Sequence, residues 1–144
     1  MVTKLRDLLA DIELGEFARC RPSRFEELLN VEAAKIVRRM PRDARHWGIA
    51  RKVLNIFLRG ATYNSFLRED FKLHRIEHQL ELPLDSLTVK GLKKRSPKRS
   101  LPRWHGVKNL SEADSDRFQV RASEIAADLE VERIHLDIYL WLER

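Results

Sequence analysis

The chain has 144 residues, 43% of them apolar and 35% charged, with five glycines, five prolines and a single cysteine. That length and balance suit one domain with a genuine core and exclude fibrous or disordered classes, while no apolar run is long enough to span a bilayer. The formal charge of +6 is modest, and its position matters more than its size.

No basic-then-apolar leader stands at Met1, and lone Cys20 can form neither an internal disulfide nor a zinc ribbon, so a cytoplasmic monomer without cofactor or metal is expected. Residues Thr3 to Phe17 carry Leu5, Leu8, Leu9, Ile12 and Leu14 at helical spacing, which predicts an amphipathic helix breaking at Gly15. Pro22 and Ser23 read as a helix start, with Ser23 as N-cap and Glu26 completing a capping box. That helix runs to about Met40 with Phe25, Leu28, Leu29, Val31, Ala34 and Ile36 inward, and Pro41 ends it.

Asp43 is the expected N-cap of the next helix, Arg45 to Arg59, with Trp47, Ala50, Val53, Leu54, Phe57 and Ala61 as its apolar face. A second stripe holds Arg45, Gly48, Lys52, Asn55 and Arg59. Lys52 is flanked by Ile49 and Ile56, and an apolar surround lowers an amine's pKa, which makes it a candidate nucleophile. The plainer reading is a lysine snorkelling at the rim of a core helix.

Gly60 is expected to relax or end that helix before a further one over Tyr63 to Phe71, and Leu73 to Leu80 reads as a short helix. It contains His74-Arg-Ile-Glu-His78, which fits a zinc-peptidase pattern, but no distal third ligand is identifiable, so a surface helix with two histidines is expected. Pro83 disfavours helix at Leu82, and Asp85 stands where an N-cap would serve a helix through Leu92. Lys90, Lys93, Lys94, Arg95, Lys98, Arg99 and Arg103 then follow with no acid among them; removing these seven from the total of +6 leaves −1 for the rest of the chain. A basic loop at about 93–108, with Trp104 beside it, is the footprint expected for a phosphate backbone, or else a solvated loop. Trp104 could stack on a base or anchor the loop. Ser111 with Asp114 starts a helix through about Leu129, and Val131 to Leu142 forms the last. About seven helices and no strand predict an all-α, compact single-domain bundle over residues 1–144.

Two carboxylates stand out. Asp85 as N-cap would be held ionised and fixed in orientation, which is a structural role and also a way to aim negative charge at a developing cation. Asp137 shares a helix face with Trp141 among apolar neighbours, so it either pairs internally or offers an acceptor to a ligand.

Lys52 in an apolar helix, Pro83-Leu-Asp85-Ser opening a helix 33 residues later, and His135-Leu-Asp137-x-x-x-Trp141 together resemble the archaeal-type 8-oxoguanine DNA glycosylase/lyase branch of the helix-hairpin-helix glycosylase superfamily. The resemblance covers roughly Arg45 to Leu92 and Ile134 to Trp141, without a glycine-rich hairpin ahead of Asp85. It implies Lys52 as nucleophile at C1′ and Asp85 as assisting carboxylate. It implies a base pocket of Asp137 as hydrogen-bond acceptor and Trp141 as stacking wall, with His135 of the same phrase beside them. The implied partner is double-stranded DNA carrying a damaged or modified base, gripped by the basic residues from Lys90 to Arg103, and the implied setting is the nucleoid. Two alternatives stay open: a non-catalytic helical nucleic-acid-binding module, and a protein-interaction or regulatory subunit.

Overall fold

The computed structural model describes residues 2–142, and among these every regular element is helical. Eight α-helices occur in chain order: α1 (Val2–Ala10), α2 (Leu14–Arg19), α3 (Pro22–Arg39), α4 (Trp47–Tyr63), α5 (Ser65–Asp70), α6 (Ser86–Lys94), α7 (Glu112–Asp128) and α8 (Leu136–Leu142), with five short 3-10 turns between them. No helix among the described residues is long and apolar enough to cross a membrane.

The core forms two clusters. The first gathers α1 to α4 around Phe17, Phe25, Ile36, Leu54 and Leu58, with Leu73, Ile76 and Leu80 closing it. The second gathers Leu82, Leu84 and Leu92 with Phe118, Ile125, Leu136 and Leu140 from α6, α7 and α8. The run Leu80–Leu84 carries the chain from one cluster into the other, buried at every residue and outside any helix. Side chains satisfy part of its backbone. Gln119 exchanges both amide bonds with the Leu82 backbone (3.0 and 2.7 Å), and Arg133 donates to the carbonyls of Gln79 and Leu80 (3.0 and 3.1 Å).

Several expected boundaries are corrected, each for a local reason. The first helix stops at Ala10, ahead of Gly15, and the chain turns so that Ile12 and Leu14 are both buried, as one continuous helix would not allow. Ser23 does not cap α3. Pro22 already occupies its first turn after extended Arg21, which makes no side-chain cap bond. The inward stripe of α3 runs Phe25, Leu28, Leu29, Glu32, Ala33 and Ile36, so Val31 and Ala34 face solvent rather than the core.

Asp43 caps nothing on α4. It lies in the 3-10 turn Arg42–Ala44, and α4 begins after extended His46 without a side-chain cap. Gly60 does not end α4, which continues to Tyr63; open space surrounds Gly60. Leu73–Leu80 is two 3-10 turns, Leu73–Arg75 and Glu77–Gln79, instead of a helix. Lys72 in the left-handed region (φ 54°) resets the chain, and Leu73, Ile76 and Leu80 are buried by that path. The final segment opens with the 3-10 turn Arg133–His135 and becomes α-helical only at Leu136. The caps at Asp85 and Ser111 form as expected.

Candidate active site

Asp85 is in extended backbone and accepts from the amides of Leu87 and Thr88 on one oxygen, Oδ1, at 2.9 Å each. Thr88 returns the capping box, its hydroxyl accepting from the Asp85 amide at 2.8 Å. The second oxygen, Oδ2, is turned to Lys52 Nζ at 3.7 Å. One carboxylate thus divides its duties: Oδ1 fixes the start of α6, and Oδ2 is presented to the lysine of α4. The expected apolar enclosure of Lys52 is absent. Its side chain is 31% exposed and that of Asp85 30%, and neighbouring Ile56 is itself 41% exposed.

The two stripes foreseen on α4 are redistributed. Gly48, Arg51, Asn55 and Thr62 turn inward with Ala50, Leu54, Leu58 and Ala61, whereas Lys52 and Arg59 stay at the rim. Gly48 is required where it stands, since an added Cβ would lie 2.2 Å from the Val107 carbonyl oxygen. Arg51 and Glu81 form a buried bidentate ion pair at 2.9 Å on both arms, with Asn55 donating to Glu81 at 2.8 Å and Arg51 reaching Asn30 at 2.8 Å. Burial pushes the Glu81 carboxyl up, but the hydrogen bond and charge of Arg51, with Asn55, outweigh it and hold the group below the ordinary glutamate range. This network behind the site was missed from sequence. Its signal was Arg51 and Asn55, one turn apart on an otherwise apolar face, together with the lone acid in Leu80-Glu-Leu-Pro-Leu84.

Along the rim, seven residues beyond Lys52, Arg59 is ion-paired with Asp137 through Oδ2. Asp137 Oδ1 is buried with no hydrogen-bond partner, an acceptor left open. Trp141, one turn on, is 48% exposed. Gly91 lets α8 lie against α6: an added Cβ would sit 2.9 Å from Leu140 Cβ. Lys52 and Asp85 therefore converge, and Asp137 and Trp141 ride on the helix packed beside Asp85's own helix.

His135 takes part in a further cluster. Its Nδ1 is 2.8 Å from Tyr63 Oη and its Nε2 2.5 Å from Glu77 Oε1, while Arg68 pairs with Glu77 Oε2 at 2.7 Å. Glu77 of the zinc-like pattern is thus committed to His135 and Arg68, with exposed His74 and His78 on successive 3-10 turns. Among the described residues no group of three or more His, Cys, Asp or Glu side chains could hold a metal.

The basic residues divide between two elements. Lys90, Lys93 and Lys94 belong to α6, which extends two residues beyond the expected Leu92, and Arg95 is its C-cap; Lys98, Arg99 and Arg103 belong to the loop. Trp104 Nε1 donates to Ser86 Oγ at 3.0 Å, and its ring meets Phe118 edge-on at 6.0 Å, so it anchors the loop to α6 and α7. It also walls a pocket of about 420 Å3 with Ser86, Val89, Lys90, Lys93 and Lys94. Arg117 and Arg121, which the sequence reading passed over, hold the loop from α7 through the Ser100 carbonyl (3.1 Å) and the Ser96 hydroxyl (2.9 Å). A separate apolar groove of about 600 Å3, lined by Leu5, Leu8, Met40, Pro41, Ile49 and Val53, includes none of these site residues.

Comparison of the chain with protein-family models, with curated proteins and with solved structures gave no match.

Proposed function

We propose that the chain is a DNA glycosylase with an AP-lyase step, acting on a damaged or modified base in duplex DNA. The observation that carries this reading is Lys52 Nζ 3.7 Å from Asp85 Oδ2, a lysine and a carboxylate from distant stretches of sequence meeting at the start of α6. The three phrases resembling the glycosylase branch put the nucleophile and its assisting acid at these two positions.

In this mechanism the target base leaves the stack, and the few kcal/mol of unstacking are offset by phosphate contacts of Lys90, Lys93, Lys94, Arg95, Lys98, Arg99 and Arg103. Asp137 and Trp141 receive the base, the first as acceptor and the second as stacking surface, with His135 behind them. The C1′–N bond breaks with its electron pair leaving on the base. Positive charge developing on the sugar is stabilised by Asp85, whose cap bonds fix its aim in advance. Lys52, having released a proton to water, adds its lone pair to C1′. Ring opening gives an imine, and loss of a C2′ proton then expels the 3′ phosphate and nicks the strand.

Borohydride reduction on duplexes carrying a panel of modified bases, 8-oxoguanine included, is the test. A covalent adduct that disappears in Lys52→Ala is expected; no adduct with any lesion, or an undiminished one in the variant, would remove the lyase claim. Because a pair a third exposed is also what an ordinary surface ion pair looks like, a non-catalytic nucleic-acid-binding module is the second reading. That module would bind duplex DNA in a salt-sensitive way, leave it intact, and tolerate Lys52→Ala.

A further inference from the structure

Glu77, His135 and Tyr63 form a linear chain of hydrogen bonds that the mechanism above does not use. Arg68 pairs with Glu77, whose carboxyl is pushed up by burial but brought below its ordinary range by hydrogen bonds from Arg68 and His135. An ionised acceptor at 2.5 Å from Nε2 keeps the proton on that nitrogen, so in neutral His135 Nδ1 is the acceptor and Tyr63 Oη donates to it. When His135 takes a second proton, Nδ1–H donates instead, and the Tyr63 hydroxyl is free to turn outward as a donor. The phenol is raised above its ordinary value, by burial first and then by the charge of Asp137, so it remains protonated and able to donate at neutral pH.

Lys52, Arg59 and Tyr63 follow one another along one edge of α4. At 1.5 Å per residue Arg59 stands about 10 Å from Lys52 along the axis and Tyr63 about 6 Å further, so the Arg59–Asp137 pair lies between the amine and the phenol. Tyr63 is 48% exposed, and the groups facing the relay are Arg59 of α4, Arg68 of α5, Glu77 of its 3-10 turn and Asp137 of α8.

We propose that Tyr63 is a further catalytic residue, a general acid that protonates the edge of the departing base remote from the sugar and is recharged by His135, with Glu77 as the positioning residue. The balance closes without a co-reactant. The C1′–N electron pair leaves on the base, the base takes the Tyr63 proton, Tyr63 takes the Nδ1 proton, and His135 is left neutral, keeping its Nε2 proton and donating it to ionised Glu77. The inference rests on the glycosylase reading and adds to it a proton donor for the departing base.

Single-turnover excision from a duplex carrying 8-oxoguanine, or whichever lesion of the panel gives the borohydride adduct, is compared with strand nicking at a preformed abasic site, where no base departs. Tyr63→Phe is expected to slow excision about 100-fold, while nicking of the abasic duplex stays within twofold of the parent. Glu77→Gln is expected to slow excision without slowing abasic nicking and, by nitrogen NMR, to relax the Nε2–H tautomer of His135. Equal slowing of both reactions in Tyr63→Phe makes the cluster structural and overturns the proposal, as does an Nδ1–H tautomer in the parent protein. An adduct with no effect of Tyr63→Phe sinks the relay alone. Absence of both excision and adduct on every lesion sinks the glycosylase reading, and the relay's catalytic role with it.

Discussion

Asp85 carries two jobs on two oxygens, and conservative substitution separates them. Asparagine caps helices about as well as aspartate, so Asp85→Asn is expected to leave the melting temperature within a few degrees of the parent. Removing the negative charge should nevertheless lower excision by about two orders of magnitude with little effect on DNA affinity, measured by single-turnover kinetics and by binding titration. If Asp85→Asn leaves excision unchanged, the cap is its whole role. Glu81 differs in kind, because its partner is buried. Glu81→Gln leaves Arg51 desolvated without its counter-charge and should cost about 3–5 kcal/mol in denaturant unfolding. The sign with pH follows from Glu81 and Glu77, whose carboxyls in the folded chain both lie below the ordinary value. Each contributes stability that is fully present above the ordinary glutamate range and is lost as the pH falls through the lowered folded value. Melting temperature should therefore drop on acidification below that range, and more shallowly in Glu81→Gln.

At the scale of elements, helix faces follow apolar spacing where it is unbroken and depart from it where a polar residue occupies a core position. The stripe of α3 was misread at Val31 and Ala34 because charged Glu32 holds the inward place between Leu29 and Ile36. The face of α4 was read correctly at Ala50, Leu54 and Ala61, but Arg51 and Asn55 belonged to it as well, since Glu81 arrives from thirty residues away to satisfy them. Caps that depend on local chemistry, Asp85 with Thr88 and Ser111 with the Asp114 amide, were legible; those at Ser23 and Asp43 failed because Pro22 and a 3-10 turn took precedence. The pairing of Lys52 with Asp85 is what the resemblance of their phrases to the glycosylase branch implies, whereas the Tyr63–His135–Glu77 chain joins three elements that no local pattern connects. Contact between α6 and α8 depends on Gly91. Gly91→Ala forces Leu140 away by a few tenths of an ångström or more and should destabilise the fold by about 1–3 kcal/mol. It should also weaken excision more than binding, since α8 carries Asp137 and Trp141 past Asp85.

For the molecule as a whole, the positive charge is concentrated on α6 and the loop after it, so DNA affinity should fall steeply with salt. Each of Lys90→Ala and Lys93→Ala is expected to reduce the slope of log affinity against log salt by about 0.9 if that lysine neutralises one phosphate, and an unchanged slope would place the DNA elsewhere. The candidate site lies where the two core clusters meet, α4 from the first and α6 with α8 from the second. Between Glu81 and Asp85 only Leu82, Pro83 and Leu84 intervene, locked at one end by Arg51 and at the other by the α6 cap. Those three residues act as a ruler: lengthen the run by one alanine and both anchors can still close, but the carboxylate they carry is delivered to a different point on α4. Such an insertion should abolish the borohydride adduct, because the run sets both the reach between its two anchors and, through buried Leu82 and Leu84, the packing of the second cluster.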